Sequence, residues 1–166
     1  GVQEFMGLEF QVNEHVLIPR QDTETLVELV LSEHKEKNIS LLDVCTGSGC
    51  IAISLAKLGG YTDVTALDLS EEALKVARSN GEKLLDQPVK FIKSDMFSAL
   101  NPEKQYNVIV SNPPYIPSQV IEGLEPEVKD HEPRMALDGE PDGLKFYRIL
   151  AEEGKKYLKN GGSIYM

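Results

Sequence analysis

Apolar residues come in short β-branched runs divided by amphipathic stretches, and each run closes on a polar or small residue. Leu41-Leu42-Asp43-Val44-Cys45, Val64 to Leu67, Val89 to Lys93 and Tyr106 to Val110 have the length and composition of buried strands. Between the first two runs lies a helical stretch, Ile51 to Leu58, closed by Gly59-Gly60. After the second, Ser70 is placed to cap a helix carrying Leu74, Ala77 and Leu84. Upstream, Phe5, Leu8, Phe10 and Val12 alternate around Gly7, which predicts a β-hairpin. Asp22 or Thr23 is then placed to cap a helix whose Leu26, Val27, Leu29 and Val30 share a face as far as His34. Downstream, Leu144, Tyr147, Ala151, Gly154 and Leu158 fall at helical spacing. Gly161-Gly162 is expected to end that helix and Ser163-Ile164-Tyr165-Met166 to open a fifth strand.

Strands alternating with helices imply an α/β fold with a mostly parallel sheet, its ligand held at the carboxyl ends of the strands. Cys45, Asp68, Asp95 and Asn112 stand at four such ends, so one rim is expected to carry all four. The reading divides the chain at 1–40, a hairpin and helix leading in, and 41–166, the domain that carries the chemistry. A chain that stops in an apolar strand leaves a sheet edge unpaired. Further strands are therefore expected beyond residue 166.

Composition removes several classes of function. The chain has 166 residues and a formal net charge of -10, with no Lys/Arg block to offset it, so no broad DNA-binding face is expected. No run is long enough to span a membrane and no signal-peptide pattern opens the chain, which predicts a cytoplasmic protein. Cys45 and Cys50 flank one glycine turn and the histidines are scattered, so no metal site is expected. The thiols read as small packing residues, because nothing cationic lies near them in sequence to make them nucleophiles. Arg20 and Glu24 read from charge alone as a solvated pair, their role open. Residues 116–142 form a long acidic loop, either a lid or a partner surface or without fixed structure. Oligomeric state is not legible.

Two motifs carry chemistry. Cys45-Thr46-Gly47-Ser48-Gly49 lies between a strand and a helix, where glycines let the backbone approach a ligand. Asp68 follows about 20 residues on, the spacing at which an acid meets ribose hydroxyls in nucleotide-binding folds. NAD and S-adenosylmethionine both suit that pairing. The second motif is Ser111-Asn112-Pro113-Pro114-Tyr115, where two prolines stop the fourth strand and stiffen the loop after it. Taken alone it is either an ordinary turn or a rigid seat for a flat polar group. In the second case Asn112 and the Pro113 carbonyl would accept the two N–H groups of an amide or aromatic amine, and Tyr115 would pack on its plane.

Asp43-x-Cys45-x-Gly47-x-Gly49 resembles the acidic-x-Gly-x-Gly-x-Gly motif of Rossmann-like methyltransferases, with its first glycine replaced. Asn112-Pro113-Pro114-Tyr115 resembles the substrate motif of enzymes that methylate planar nitrogens. With Val16-Leu17-Ile18-Pro19-Arg20-x-Asp22-Thr23-Glu24, Glu132-Pro133-Arg134 and Asp142-Gly143-Leu144, nearly the whole chain is similar to the HemK/PrmC family of release-factor glutamine methyltransferases. The resemblance implies a Rossmann-like S-adenosylmethionine-dependent fold, with S-adenosylhomocysteine as product. It implies cofactor contacts from Cys45, Thr46, Gly47, Ser48, Gly49, Asp68, Met96 and Asn112. Asn112, Pro113, Pro114 and Tyr115 would hold a release-factor glutamine. The family's small helical N-terminal domain and its last strands are absent from this sequence. Two alternatives stay open: an adenine or guanine amino-methyltransferase acting on RNA or DNA, and a cofactor-binding scaffold without catalysis.

Overall fold

The computed structural model describes residues 1–113 and 144–166. β1 (Val2–Phe5) and β2 (Leu8–Gln11) pair antiparallel around Met6-Gly7. Both turn residues have positive φ, 53° and 77°, as a tight two-residue hairpin requires. A 3₁₀ turn, Gln21–Thr23, leads into α1 (Glu24–Glu33). Thr23 occupies the N-cap position, but its side chain makes no cap bond, and Asp22 lies inside the 3₁₀ turn. The expected side-chain cap is therefore replaced by backbone turning. Val27 and Val30 are buried, whereas Leu29 is 44% exposed and falls off the face assigned to it.

The remaining strands are β3 (Ser40–Val44), β4 (Asp63–Asp68), β5 (Lys90–Lys93), β6 (Tyr106–Ser111) and β7 (Leu158–Tyr165). They form one parallel sheet in the order β5-β4-β3-β6-β7. α2 (Cys50–Gly59) links β3 to β4, and α3 (Glu71–Leu84) links β4 to β5. Ser70 caps α3 as expected, its hydroxyl accepting from the Ala73 N–H at 3.1 Å. Alternation along β3 and β6 makes two cores. Leu41, Val108 and Val110 pack with Val27, Val30, Ile51 and Leu55 of α1 and α2, while Leu42, Val44 and Ile109 face Phe97 and Leu150. A side chain such as Leu55 or Leu42, fully buried, contributes about 1.5–3 kcal/mol by leaving water.

The last helix differs from expectation. α4 (Lys145–Glu153) ends at Gly154, a 3₁₀ turn follows to Tyr157, and β7 begins at Leu158. A Cβ on Gly154 would stand 3.0 Å from Ile164 Cδ1 of β7, so a larger residue there requires the Ile164 side chain to shift. Gly161-Gly162 is thus inside a strand and does not stop a helix. The β6–β7 register shifts between Tyr106 and Val108 to accommodate it. Among the described residues no helix is long and apolar enough to cross a membrane.

Candidate functional site

Strand order reverses between β3 and β6, so the chains leaving these two strands diverge and open a crevice at their carboxyl ends. After β3, Cys45, Gly47 and Gly49 all take positive φ (64°, 59° and 85°), folding the backbone into a turn from which α2 starts. The turn is bonded to the end of β4. Thr46 N–H donates to Leu67 O at 2.8 Å, Gly47 N–H to Asp68 Oδ2 at 2.8 Å, and Gly49 N–H back to Thr46 O at 2.9 Å. The two glycines serve different ends. A Cβ on Gly49 would meet Ile53 Cδ1 at 2.9 Å and Ala77 Cβ at 3.2 Å, so that glycine lets the turn pack against its neighbours. A Cβ on Gly47 would meet nothing within 4 Å, and Gly47 borders open space.

That space is a cavity of about 240 Å³. It is lined by the turn and the ends of β4 and β5, taken as its floor, by Asn112, and by the strap of residues 15–20 that joins the hairpin to α1, taken as its wall. Phe146 of α4 also borders it. Cys45, Asp68, Asp95 and Asn112 all line this one cavity, as do Thr46, Gly47, Ser48 and Met96. Gly49 is buried and does not line the cavity, and Pro113 is buried at the position after Asn112. Pro114, Tyr115 and the acidic loop 116–142 lie outside the described residues. Composition and spacing gave no sign that the strap or Phe146 would reach the cavity. Glu24 does not form the solvated pair read from its charge: its Oε2 accepts from the Met6 N–H at 2.6 Å and pins the hairpin tip to α1.

Electrostatics at the floor follow from burial. Asp68 accepts from Gly47 N–H and, through Oδ1, from Ser70 N–H at 3.0 Å. Desolvation still outweighs these bonds and raises its pKa. Beneath the turn, Asp43 Oδ2 accepts from the Thr46 hydroxyl at 2.7 Å, and Oδ1 has no partner among the described residues. Burial lifts that carboxyl from 3.8 to about 7 against the Thr46 bond. Burial also pushes the Cys50 thiol up to about 12 and raises Cys45 further, so both stay protonated. Cys45 Sγ donates to Met96 Sδ at 3.7 Å, across the floor. Met96 itself has φ 51°, and the Ser94 hydroxyl donates to its carbonyl at 2.6 Å to hold the turn after β5. No group of three or more His, Cys, Asp or Glu among the described residues is arranged to hold a metal.

A parallel sheet that reverses at β3/β6, with a glycine turn and an acid at the next strand end, defines a Rossmann-like nucleotide-type binding protein. The chain belongs to the methyltransferase small domain family, whose model matches residues 21–123. It is 45% identical over 166 residues to a release factor glutamine methyltransferase of Streptococcus pneumoniae, covering 100% of this chain and 58% of that protein. It is 46% identical over 167 residues to one of Bacteroides thetaiotaomicron, covering 99% of this chain and 59% of that protein. The chain therefore spans less than two thirds of these curated relatives. A methyltransferase from Pyrococcus furiosus shares the fold at a TM-score of 0.66 and 22% identity, covering 96% of this chain and 68% of that one.

Proposed function

We propose that the cavity binds S-adenosylmethionine and that the protein methylates the side-chain amide nitrogen of a glutamine in peptide chain release factors. The observation that carries this reading is that Asn112 borders the same cavity as the glycine turn and Asp68. The names of relatives alike across nearly the whole chain supply the substrate. Residues 41–166 then belong to the catalytic domain of a cytoplasmic enzyme, with 1–40 leading into it.

The residues present fit the cofactor. Open space at Gly47 lets a ligand approach the backbone. Asp68 uses one acceptor site on each oxygen for the turn and Ser70, leaving further lone pairs for a pair of ribose hydroxyls. Cys45 to Gly49, Asp68, Met96 and Asn112 are assigned to holding it. When bound, S-adenosylmethionine supplies an electrophilic methyl group.

An amide nitrogen is a poor nucleophile because its lone pair is delocalised into the carbonyl. Asn112 Oδ1 and the Pro113 carbonyl are assigned as acceptors for its two N–H groups, which aims the remaining lobe of the nitrogen into the cavity. The same acceptors stabilise positive charge developing on that nitrogen. Pro113-Pro114 fixes the loop before substrate arrives and Tyr115 packs on the amide plane. No base is assigned among these residues, so the proton leaves after methyl transfer.

The test is incubation of the full-length protein with a release factor and S-adenosylmethionine, read by mass spectrometry. One added methyl on a glutamine amide is expected, falling at least a hundredfold with Asn112→Ala. An unmodified release factor beside methylated adenine or guanine in RNA or DNA overturns the substrate. No S-adenosylmethionine binding overturns the cofactor.

A further inference from the structure

Asn80 is fully buried on α3 and belongs to none of the motifs that sequence singled out. Its carboxamide Oδ1 accepts from Gln11 N–H at 2.8 Å, and its Nδ2 donates to Gln11 O at 3.1 Å and to Ser48 O at 2.9 Å. Toward β2 the side chain thus does what a neighbouring strand would do, pairing both main-chain groups of one residue. Its second N–H goes to the glycine turn. The peptide between Ser48 and Gly49 is consequently held at both ends, its carbonyl by Asn80 and its N–H by Thr46 O at 2.9 Å. That peptide joins Ser48 to Gly49, whose φ of 85° lies in the region that glycine enters without steric cost. Nothing covalent near it sets its orientation.

The hairpin held by Asn80 leads into the strap of residues 15–20, which lines the same cavity as the turn. One buried amide therefore connects the floor of the cavity to the element that carries its wall. We infer that Asn80 is a positioning residue that ties docking of the N-terminal hairpin to ligand affinity at the glycine turn, so that each stabilises the other. Linkage requires the effect to be reciprocal: ligand in the cavity protects the hairpin, and a docked hairpin tightens the ligand. The inference rests on the cofactor reading above for its ligand, but not for its geometry.

Asn80→Asp tests it, because aspartate keeps size and one acceptor while removing both donors and facing two carbonyl oxygens with charge. In the full-length protein, S-adenosylhomocysteine affinity by calorimetry is expected to fall about tenfold or more. Ile109→Val, a buried substitution in β6 at a residue that does not line the cavity, serves as a control for general loss of stability and is expected to keep affinity within twofold. Hydrogen exchange supplies the readout that a merely structural role would not move. In the wild type, saturating S-adenosylhomocysteine is expected to slow exchange at the Gln11 amide at least fivefold, and in the Asn80 variant that slowing is lost. Asn80→Ser, too short to span β2 and the turn, gives the same pattern if the aspartate variant does not fold. Unchanged affinity, or ligand protection of Gln11 that survives in the variants, overturns the inference. If the wild type binds no S-adenosylhomocysteine, the cofactor reading falls first. Exchange without ligand then decides the geometry: faster exchange at both Gln11 and Gly49 in the variant supports the tie, and unchanged Gly49 overturns it.

Discussion

The floor of the cavity and its wall are built on different principles. The floor is the glycine turn, bonded to the end of β4 at Thr46 and Gly47 and placed by two central strands of the sheet. The wall is a strap outside the sheet, fixed through a hairpin whose Phe5 and Phe10 are buried in the core beside α1 and α2 and whose backbone two side chains hold, Glu24 at its tip and Asn80 at its second strand. Backbone bonds inside a sheet break only with the sheet, whereas a side-chain clip fails alone. A binding site made this way is expected to have a rigid half that sets geometry and a half that detaches at lower cost.

The largest expected effect lies under the floor. Asp43 titrates at about 7 in the fold and at an ordinary 3.8 when unfolded. Between those values the folded state holds a proton that the unfolded state has released, so stability falls as pH rises from about 4 to about 7 and is level above. The gap is worth on the order of 4 kcal/mol. Asp43→Asn keeps an acceptor for Thr46 and removes the charge. Its thermal midpoint is expected to exceed that of the wild type by a margin that widens across this window and is small at pH 4. A margin independent of pH would show that the floor does not depend on a buried acid.

The two glycines of the turn give the next test. Gly49→Ala adds a Cβ against Ile53 and Ala77 in a left-handed backbone, and is expected to cost about 3 kcal/mol in a denaturant titration from strain and overpacking together. Gly47→Ala carries the strain without the clash and is expected to cost about 1 kcal/mol. Its larger consequence is lost ligand affinity, because the added methyl enters the cavity. Equal stability losses would mean that close packing behind the turn does not separate their roles.

On the detachable side, Glu24→Ala removes the acceptor for Met6 N–H at the hairpin turn and is expected to cost about 1–2 kcal/mol. The loss is local. Hydrogen exchange should quicken at Met6 and across β1 and β2 while amides of β3 and β6 keep their protection. If sheet amides loosen in step, hairpin and sheet are one cooperative unit and the contrast between the two halves fails.

The floor was legible in sequence because its parts are local: an apolar strand, glycines within five residues and an acid at the next strand end. Sheet periodicity then places Cys45, Asp68, Asp95 and Asn112 on one rim without any tertiary information. The wall was not legible, since Glu24 and Asn80 act across 18 and 69 residues of chain on backbone groups, which leave no side-chain pattern to read. Gly161-Gly162 misled for the opposite reason. A glycine pair is a strong local stop signal, yet Gly162 lies inside β7, where a Cβ would stand 3.0 Å from Asn107 O, while the helix had already ended at Gly154. Local signals report conformation well and packing poorly.

The smallest effect concerns the one floor residue that departs from the glycine pattern. Cys45 has φ 64°, a conformation that costs an L-residue about 1–2 kcal/mol, and its thiol recovers part of that through contact with Met96 Sδ at 3.7 Å. Glycine removes the steric cost, loses the sulfur contact and adds entropy to the unfolded chain, so Cys45→Gly is expected to stabilise by under about 1 kcal/mol. The change also empties thiol volume from the cavity. S-adenosylhomocysteine affinity measured beside the melt separates the two consequences. A gain in stability with unchanged affinity makes the thiol a tolerated replacement, whereas a gain in stability with weaker affinity makes it part of the surface against which the ligand packs.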